Sequence, residues 1–169
     1  MVEFFITIVL IIFVTIVLLS SIHTVPISKI YVIERAGKFL KTCDSGLIIL
    51  IPFIDKIKYK LNKKESLNNN DNTLEFPGAD NQLIEIKLNN ITYSIIDAEK
   101  YSYSHSNPQS EIEYSILLTA KSLLKKYYKT DLIANNDSIS EELKTTLNNS
   151  LAEPYGIAFT EVQFEIVKN

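Results

Sequence analysis

Residues 4–22, FFITIVLIIFVTIVLLSSI, carry no charge, and only Thr7, Thr15, Ser20 and Ser21 interrupt the apolar run with hydroxyls. Wound as a helix at about 1.5 Å per residue, the run is about 28 Å long, the depth of a hydrocarbon core. Its β-branched residues would weaken a helix in water. Lipid offers the backbone no other hydrogen-bond partner, so a helix is forced there. Phe4, Ile8, Ile12, Ile16, Leu19 and Ile22 mark the membrane anchor along this segment. A cleaved signal peptide would need a basic start, a shorter apolar core and a small-residue cleavage site. Only Glu3 precedes the run and no A-x-A pattern follows it, so a retained, single-pass anchor is expected. Lys29, Arg35, Lys38 and Lys41 follow the helix, and no lysine or arginine precedes it. The excess of positive charge points the following domain to the cytoplasm.

Beyond the anchor the period changes. Residues 29–36, KIYVIERA, alternate apolar and polar side chains and predict a strand, with a turn at Gly37-Lys38. A second apolar run, GLIILIPFI, extends from Gly46 to Ile54. From Asp55 to Leu61 the apolar Ile57, Tyr59 and Leu61 alternate with Lys56, Lys58 and Lys60, the pattern of a half-buried strand with a solvated edge. The asparagine-rich residues 62–72 read as a loop. Residues 83–96 form another strand region, whose inward set switches from Ile84, Ile86 and Leu88 to Ile91, Tyr93 and Ile95. That change of parity across Asn89-Asn90 demands a bulge or a hairpin turn. Asn107-Pro108 is a cap followed by an N1 proline, and Ile112, Ile116, Ala120, Leu123, Leu124 and Tyr127 then recur at the helical period. Ser138 with Glu141 reads as a capping box opening a second helix, striped by Ile139, Leu143, Leu147 and Leu151 and broken at Pro154-Tyr155-Gly156. A last strand carries Ile157 and Phe159, then Val162, Phe164 and Ile166. Strands, then helices, then a closing strand predict an α+β domain, helices packed on a mostly antiparallel sheet. Residues 1–24 are the transmembrane anchor and 25–169 the domain.

Composition narrows the chemistry. At 169 residues, the part after the anchor suffices for one core. A net charge of −3 implies no general attraction to nucleic acid or anionic lipid, and no nucleic-acid partner is expected. With Cys43 as the single cysteine, no internal disulfide can form. Sequons at Asn90, Asn136 and Asn148 are close to chance in an asparagine-rich chain, and glycosylation is set aside. His23 and His105 have no second ligand at metal spacing, and four glycines supply no P-loop, G-x-S-x-G or G-x-G-x-x-G. No catalytic constellation, metal or cofactor is expected.

The stretch VPISKIYVIERAGKFLKTCDSGLIILIPFID, residues 25–55, resembles the opening of the stomatin/prohibitin/flotillin (SPFH, band 7) family, closest to its stomatin-like branch. There a proline follows the membrane segment, a strand ends in E-R-x-G-K-F/Y, and a P-G-L turn precedes I-P-F-x-D. Here stand Pro26, Glu34, Arg35, Gly37, Lys38 and Phe39, then Gly46, Leu47, Ile51, Pro52, Phe53 and Asp55. Downstream, Asp80-Asn81 resembles a D-N before the central strand, residues 96–101 resemble a D-P-E-K-A step, and Glu153, Pro154, Tyr155, Gly156 and Ile157 resemble E-P-W-G-I. Ser45 and Ala98 replace prolines of the pattern, and Leu124-Lys125 stands where the family has L-R-x-x-x-G. Relatives continue into a long charged helix that builds coiled-coil walls. Ending at Asn169, this chain is expected to lack that coiled coil, as a minimal or truncated member.

The resemblance implies a non-enzymatic scaffold that works with membrane lipids and forms homo-oligomers or co-assembles with longer relatives. It also implies a membrane protease or channel as a regulated partner. Another class of function, a monomeric tethered module for a single protein partner, stays open. So do three local questions. Cys43 is either a lipidation site beside the membrane or a plain thiol. The GLIILIPFI run either dips into the bilayer interface or is a core strand. Arg35, the chain's one arginine, either forms a structural or subunit-interface ion pair or stands exposed and inert.

Overall fold

The computed structural model describes residues 1–67, 73–104 and 106–167. They fall into two compact units, Met1–Asn62 and Lys63–Asn169.

In the first unit the apolar run forms helix α1, Val2–Ser20, and leaves it two residues earlier than the hydropathy pattern suggests. Ile22 therefore belongs not to the helix but to strand β1, Ile22–Val25. Lys29 N–H donates to the Pro26 carbonyl at 3.0 Å, closing the turn that leads into β2, Lys29–Arg35. The next turn is Ala36-Gly37 rather than Gly37-Lys38: both have positive φ (50° and 81°), as a two-residue type I′ hairpin requires. Lys38 thus already starts β3, Lys38–Cys43. The second apolar run is a strand only over β4, Gly46–Ile49. It then turns, and β5 follows at Asp55–Asn62. β1 pairs with β4, and β3-β2-β5 form a second sheet, all antiparallel. A small core of Val25, Tyr31, Ile33, Cys43, Ile48 and Leu50 joins them.

In the second unit the expected 62–72 loop is in part a strand, β6, Lys64–Leu67; residues 68–72 of that segment lie outside the described residues. After β7, Thr73–Pro77, comes β8, Leu83–Ile95, one continuous strand. The parity switch is met by a bulge, not a hairpin. The register with the last strand, β9, Ile157–Ile166, shifts between Asn89 and Thr92, and Asn90 adopts a φ of 46°. β6 and β7 share one edge of β8, and β9 takes the other. Tyr93 and Phe159 meet edge-to-face across that pair, ring centroids 5.8 Å apart. Burial, which disfavours the charged phenolate, raises the pKa of the Tyr93 and Tyr101 phenols above the ordinary tyrosine value.

Among the described residues, four helices accompany this sheet. α2, Ala98–Tyr103, was not anticipated; Asp97 caps it by accepting from the N–H groups of Glu99 and Lys100 at 3.1 and 3.0 Å. α3, Pro108–Leu124, starts at the expected Asn107 cap. α4, Lys129–Ala134, runs through Asn135 directly into α5, Asn136–Tyr155. The backbone is therefore already helical at Ser138, and the capping box with Glu141 does not form. α5 instead uses asparagines to meet the outer edge of β9. Asn148 accepts from the Phe159 N–H at 2.8 Å and donates to its carbonyl at 3.3 Å, while Asn136 donates to the Phe164 carbonyl at 3.2 Å. Two side-chain amides thus stand in for a neighbouring strand on an otherwise open edge. With Asn90 donating to Gln163 at 3.3 Å, the amide nitrogens of all three sequon asparagines are engaged within the fold.

Candidate membrane interface

Helix α1 is long and apolar enough to cross a membrane: its most apolar eighteen-residue window has a mean hydropathy of 3.0, and none of it is buried. A core helix of this composition would be covered by the rest of the fold. The hydroxyls of Thr7, Thr15, Ser20 and Ser21 each donate to a carbonyl one turn back, at 2.8–2.9 Å, so none of these four groups needs water. Phe4, Ile8, Ile12, Ile16 and Leu19 all lie exposed on it.

The apolar surface continues into the folded unit. Ile22 stands opposite Ile49, and Thr24 opposite Leu47, so these four share one face of the β1–β4 pair while Val25 and Ile48 face the core. Ile49 and Leu47 are 68% and 67% exposed. The GLIILIPFI run is therefore divided between core and surface. Ile48 and Leu50 are core, whereas Leu47, Ile49, Ile51, Phe53 and Ile54 point outward. Strand alternation was the signal for this division, hidden because the outward residues are as apolar as the inward ones.

A carboxylate clamp shapes the turn that follows. Asp55 accepts from the Ile51 N–H at 2.8 Å and from Arg35 Nε and Nη2 at 2.7 and 3.0 Å. Arg35 is thus not inert; it forms a forked ion pair within the chain. Glu34 lies 3.7 Å from Lys58. The hydrogen bond from Arg35, then that from the Ile51 N–H, holds the Asp55 carboxyl at about 2, well below the ordinary value of 3.8. Inside the clamp Phe53 adopts a φ of 68° and is 90% exposed. A bulky residue seldom takes that backbone conformation, and here it displays an aromatic ring. Pro52 sits beside it in the turn, and Gly46, at a φ of 130°, opens β4.

A depressed carboxylate stabilises the fold above its unfolded value and ceases to do so as pH falls through its folded value. Asp55→Asn is therefore expected to lower the unfolding midpoint at every pH above about 4, with the difference from the parent shrinking towards pH 2. A constant difference across that window in pH-dependent thermal melts would show that the clamp does not titrate this way.

Cys43 belongs to the core of the first unit, among Val25, Tyr31 and Ile33. Its burial was anticipated neither as a lipidation site nor as a plain, partly exposed thiol. Two further motif pairs converge in the second unit. Gly156, left-handed at the end of α5, accepts at its carbonyl from the Ile96 and Asp97 N–H groups at 2.8 and 2.9 Å. The turn with Pro154 in its last helical residues is thereby docked on the cap of α2. In the D-N turn, Asn81 takes a φ of 62° and Ala79 N–H donates to the Tyr127 carbonyl at 3.1 Å, tying the turn to the end of α3. His23 sits in β1, and His105 lies outside the described residues. Among the described residues no group of three His, Cys, Asp or Glu could hold a metal ion.

A bare apolar helix leading into an antiparallel α+β fold with these motif turns defines a membrane-associated protein class. A family model described as SPFH domain / Band 7 family matches residues 23–168, and the chain belongs to that family, on its stomatin-like branch. It is 30% identical over 133 residues to "Stomatin-like protein stl-1" of Caenorhabditis elegans, an alignment covering 75% of this chain and 38% of the relative. To "Stomatin-like protein 2, mitochondrial" of Bos taurus and of Homo sapiens it is 27% identical over 128 residues, covering 75% of this chain and 35% of each relative. The chain thus spans little more than a third of the length of these relatives. Members of the family are generally membrane-associated, non-enzymatic scaffolds.

Proposed function

We propose that this chain is a membrane-anchored scaffold that associates with copies of itself, or with longer relatives, to organise membrane microdomains or restrain a membrane protease or channel. One observation carries this most directly. The uncovered α1 passes through a single residue, Ser21, into a folded unit whose outer face is also apolar. Such a unit is held against the bilayer, and confinement to two dimensions raises the effective concentration of every neighbour. Weak lateral contacts then suffice for assembly, and no catalytic group is called for. In this reading residues 1–24 are the anchor, 25–169 the SPFH domain, and the domain faces the cytoplasm, the side favoured by Lys29, Arg35, Lys38 and Lys41.

Particle mass after gentle detergent or native-nanodisc extraction tests the proposal. A large discrete species supports scaffolding. A protomer of 19.2 kDa alone in its micelle overturns self-association and leaves a tethered module for a single protein partner.

A further inference from the structure

The amides of α5 cover only part of the outer edge of β9. Asn148 meets both backbone groups of Phe159, and Asn136 meets the Phe164 carbonyl. In an antiparallel pair, alternate residues turn their N–H and C=O away from the partner strand. Val167 donates to the Glu85 carbonyl at 2.9 Å, so Val167 and Glu165 face inward to β8 while Phe164 and Ile166 face the outer edge. The bond from Asn136 to Phe164 fits that phase. Ile166 is the next residue to present its N–H and C=O outward, and it lies beyond both amides.

A groove of about 570 Å³ opens beside it, lined by Lys129, Ile133 and Asn136 from the helices and by Phe164, Glu165 and Ile166 from β9. Its floor continues the core of the second unit. Phe164 and Ile166 stand opposite Leu88 and Ile86, which are buried, yet Ile166 itself is only half-buried. Ile133, on the wall, is 62% exposed. An apolar slot beside a strand end with outward-facing backbone groups fits an added strand.

The groove also selects whose strand fits. Lys63–Asn169 contains ten basic and sixteen acidic side chains, a net −6, which sets two second units against each other in general. At this rim Lys129 and Glu165 supply one charge of each sign, so two copies of it do not repel. A strand edge is moreover its own complement. Turned about a two-fold axis, the same residue offers N–H to C=O and C=O to N–H.

We propose that two copies of the chain join through the ends of their β9 strands, in an antiparallel two-fold pairing centred on Ile166 that covers Ile133 and Ile166 of each copy. Asn148 and Asn136 set the register, because pairing further back along β9 would have to displace them. The inference rests on the self-association of the scaffold reading and adds to it the face, the register and the symmetry of one contact.

Antiparallel residues that exchange both hydrogen bonds have Cα atoms about 5.5 Å apart, within the span of a disulfide. Ile166→Cys in the full chain, in nanodiscs large enough for several copies, is therefore expected to give a disulfide-linked pair on copper-catalysed air oxidation. Gln163→Cys is the control: three residues back on each strand, the two positions lie about 20 Å apart and stay unlinked. Cys43 is buried and common to both variants. Equal linkage at both positions means random collision and overturns the proposal. Linkage at neither, with a large discrete species still present, overturns this contact and leaves the scaffold reading standing. Linkage at neither in a solitary protomer overturns both. Ile133→Asp tests the contact without an added cysteine, at an exposed position that the fold does not depend on. It should lower the ratio of paired to single copies in native mass spectra about tenfold, because the pairing would bury a carboxylate without a partner. An unchanged ratio overturns the proposal even where Ile166→Cys does not fold.

Discussion

Gly156→Ala is expected to lower the unfolding midpoint of the second unit by more than about 10 °C. The left-handed backbone alone costs a residue with a Cβ about 1–2 kcal/mol. Here a Cβ would also lie 2.5 Å from the Asp97 carbonyl oxygen and 2.8 Å from the Asp97 Cβ. Backing away breaks the bonds from the Ile96 and Asp97 N–H groups to the Gly156 carbonyl, each worth about 0.5–1.5 kcal/mol. Gly37→Ala makes the comparison decisive. Gly37 also has a positive φ, but an added Cβ there meets nothing within 4 Å, so only the backbone cost applies. Scanning calorimetry of both variants in the same nanodiscs should show a large loss for one and a small loss for the other. Equal losses would mean that the contact between Gly156 and Asp97 contributes nothing.

The second large effect concerns α1. Ile12→Arg places a permanent charge near the middle of a helix whose only acidic residue, Glu3, lies in the first turn. Exchanging an isoleucine for an arginine at a helix centre costs about 3–4 kcal/mol of insertion free energy, several hundredfold in the equilibrium. The expected outcome is loss of most of the carbonate-resistant membrane fraction, with Ile12→Leu behaving as the parent. If Ile12→Arg stays resistant to extraction, α1 does not cross the bilayer as a single helix, and the scaffold proposal loses its anchor.

How far the residues alone reach can be judged element by element. The 19-residue helix α1, the β5 alternation, the Asn107-Pro108 start of α3 and the stripe of α5 depend on local periodicity, which is written directly in the chain. The bulge at Asn89-Asn90 was legible for the same reason: a slip of parity with both halves still buried admits few backbone solutions. β2 is a strand as expected, but its residues 30–34 are buried without a break instead of alternately, because both of its edges are paired and the core covers it. Short elements fared worse. β1, β3, β6, β7, α2 and α4 hold between four and six residues each, too few for a period to declare itself, and their existence depends on a partner strand or helix. Ser138 with Glu141 had the right letters for a cap but arrived in a backbone already made helical by α4.

The candidate site divides along the same line. Membrane association, the family and the motif residues Pro26, Glu34, Arg35, Gly37, Lys38, Gly46, Pro52, Phe53, Asp55, Pro154 and Gly156 were readable because apolar length and turn chemistry are properties of contiguous residues. Which of them touch was not. The pairing of Arg35 with Asp55, the burial of Cys43, and the outward aim of Leu47, Ile49 and Phe53 each required the chain to return on itself. The run from Gly46 to Ile54 is the plainest instance: the sequence by itself determined that it is apolar, and only the tertiary structure decided that Ile48 and Leu50 enter the core while Leu47, Ile49 and Phe53 stay exposed, because strand pairing and not hydropathy sets which face of a strand is covered.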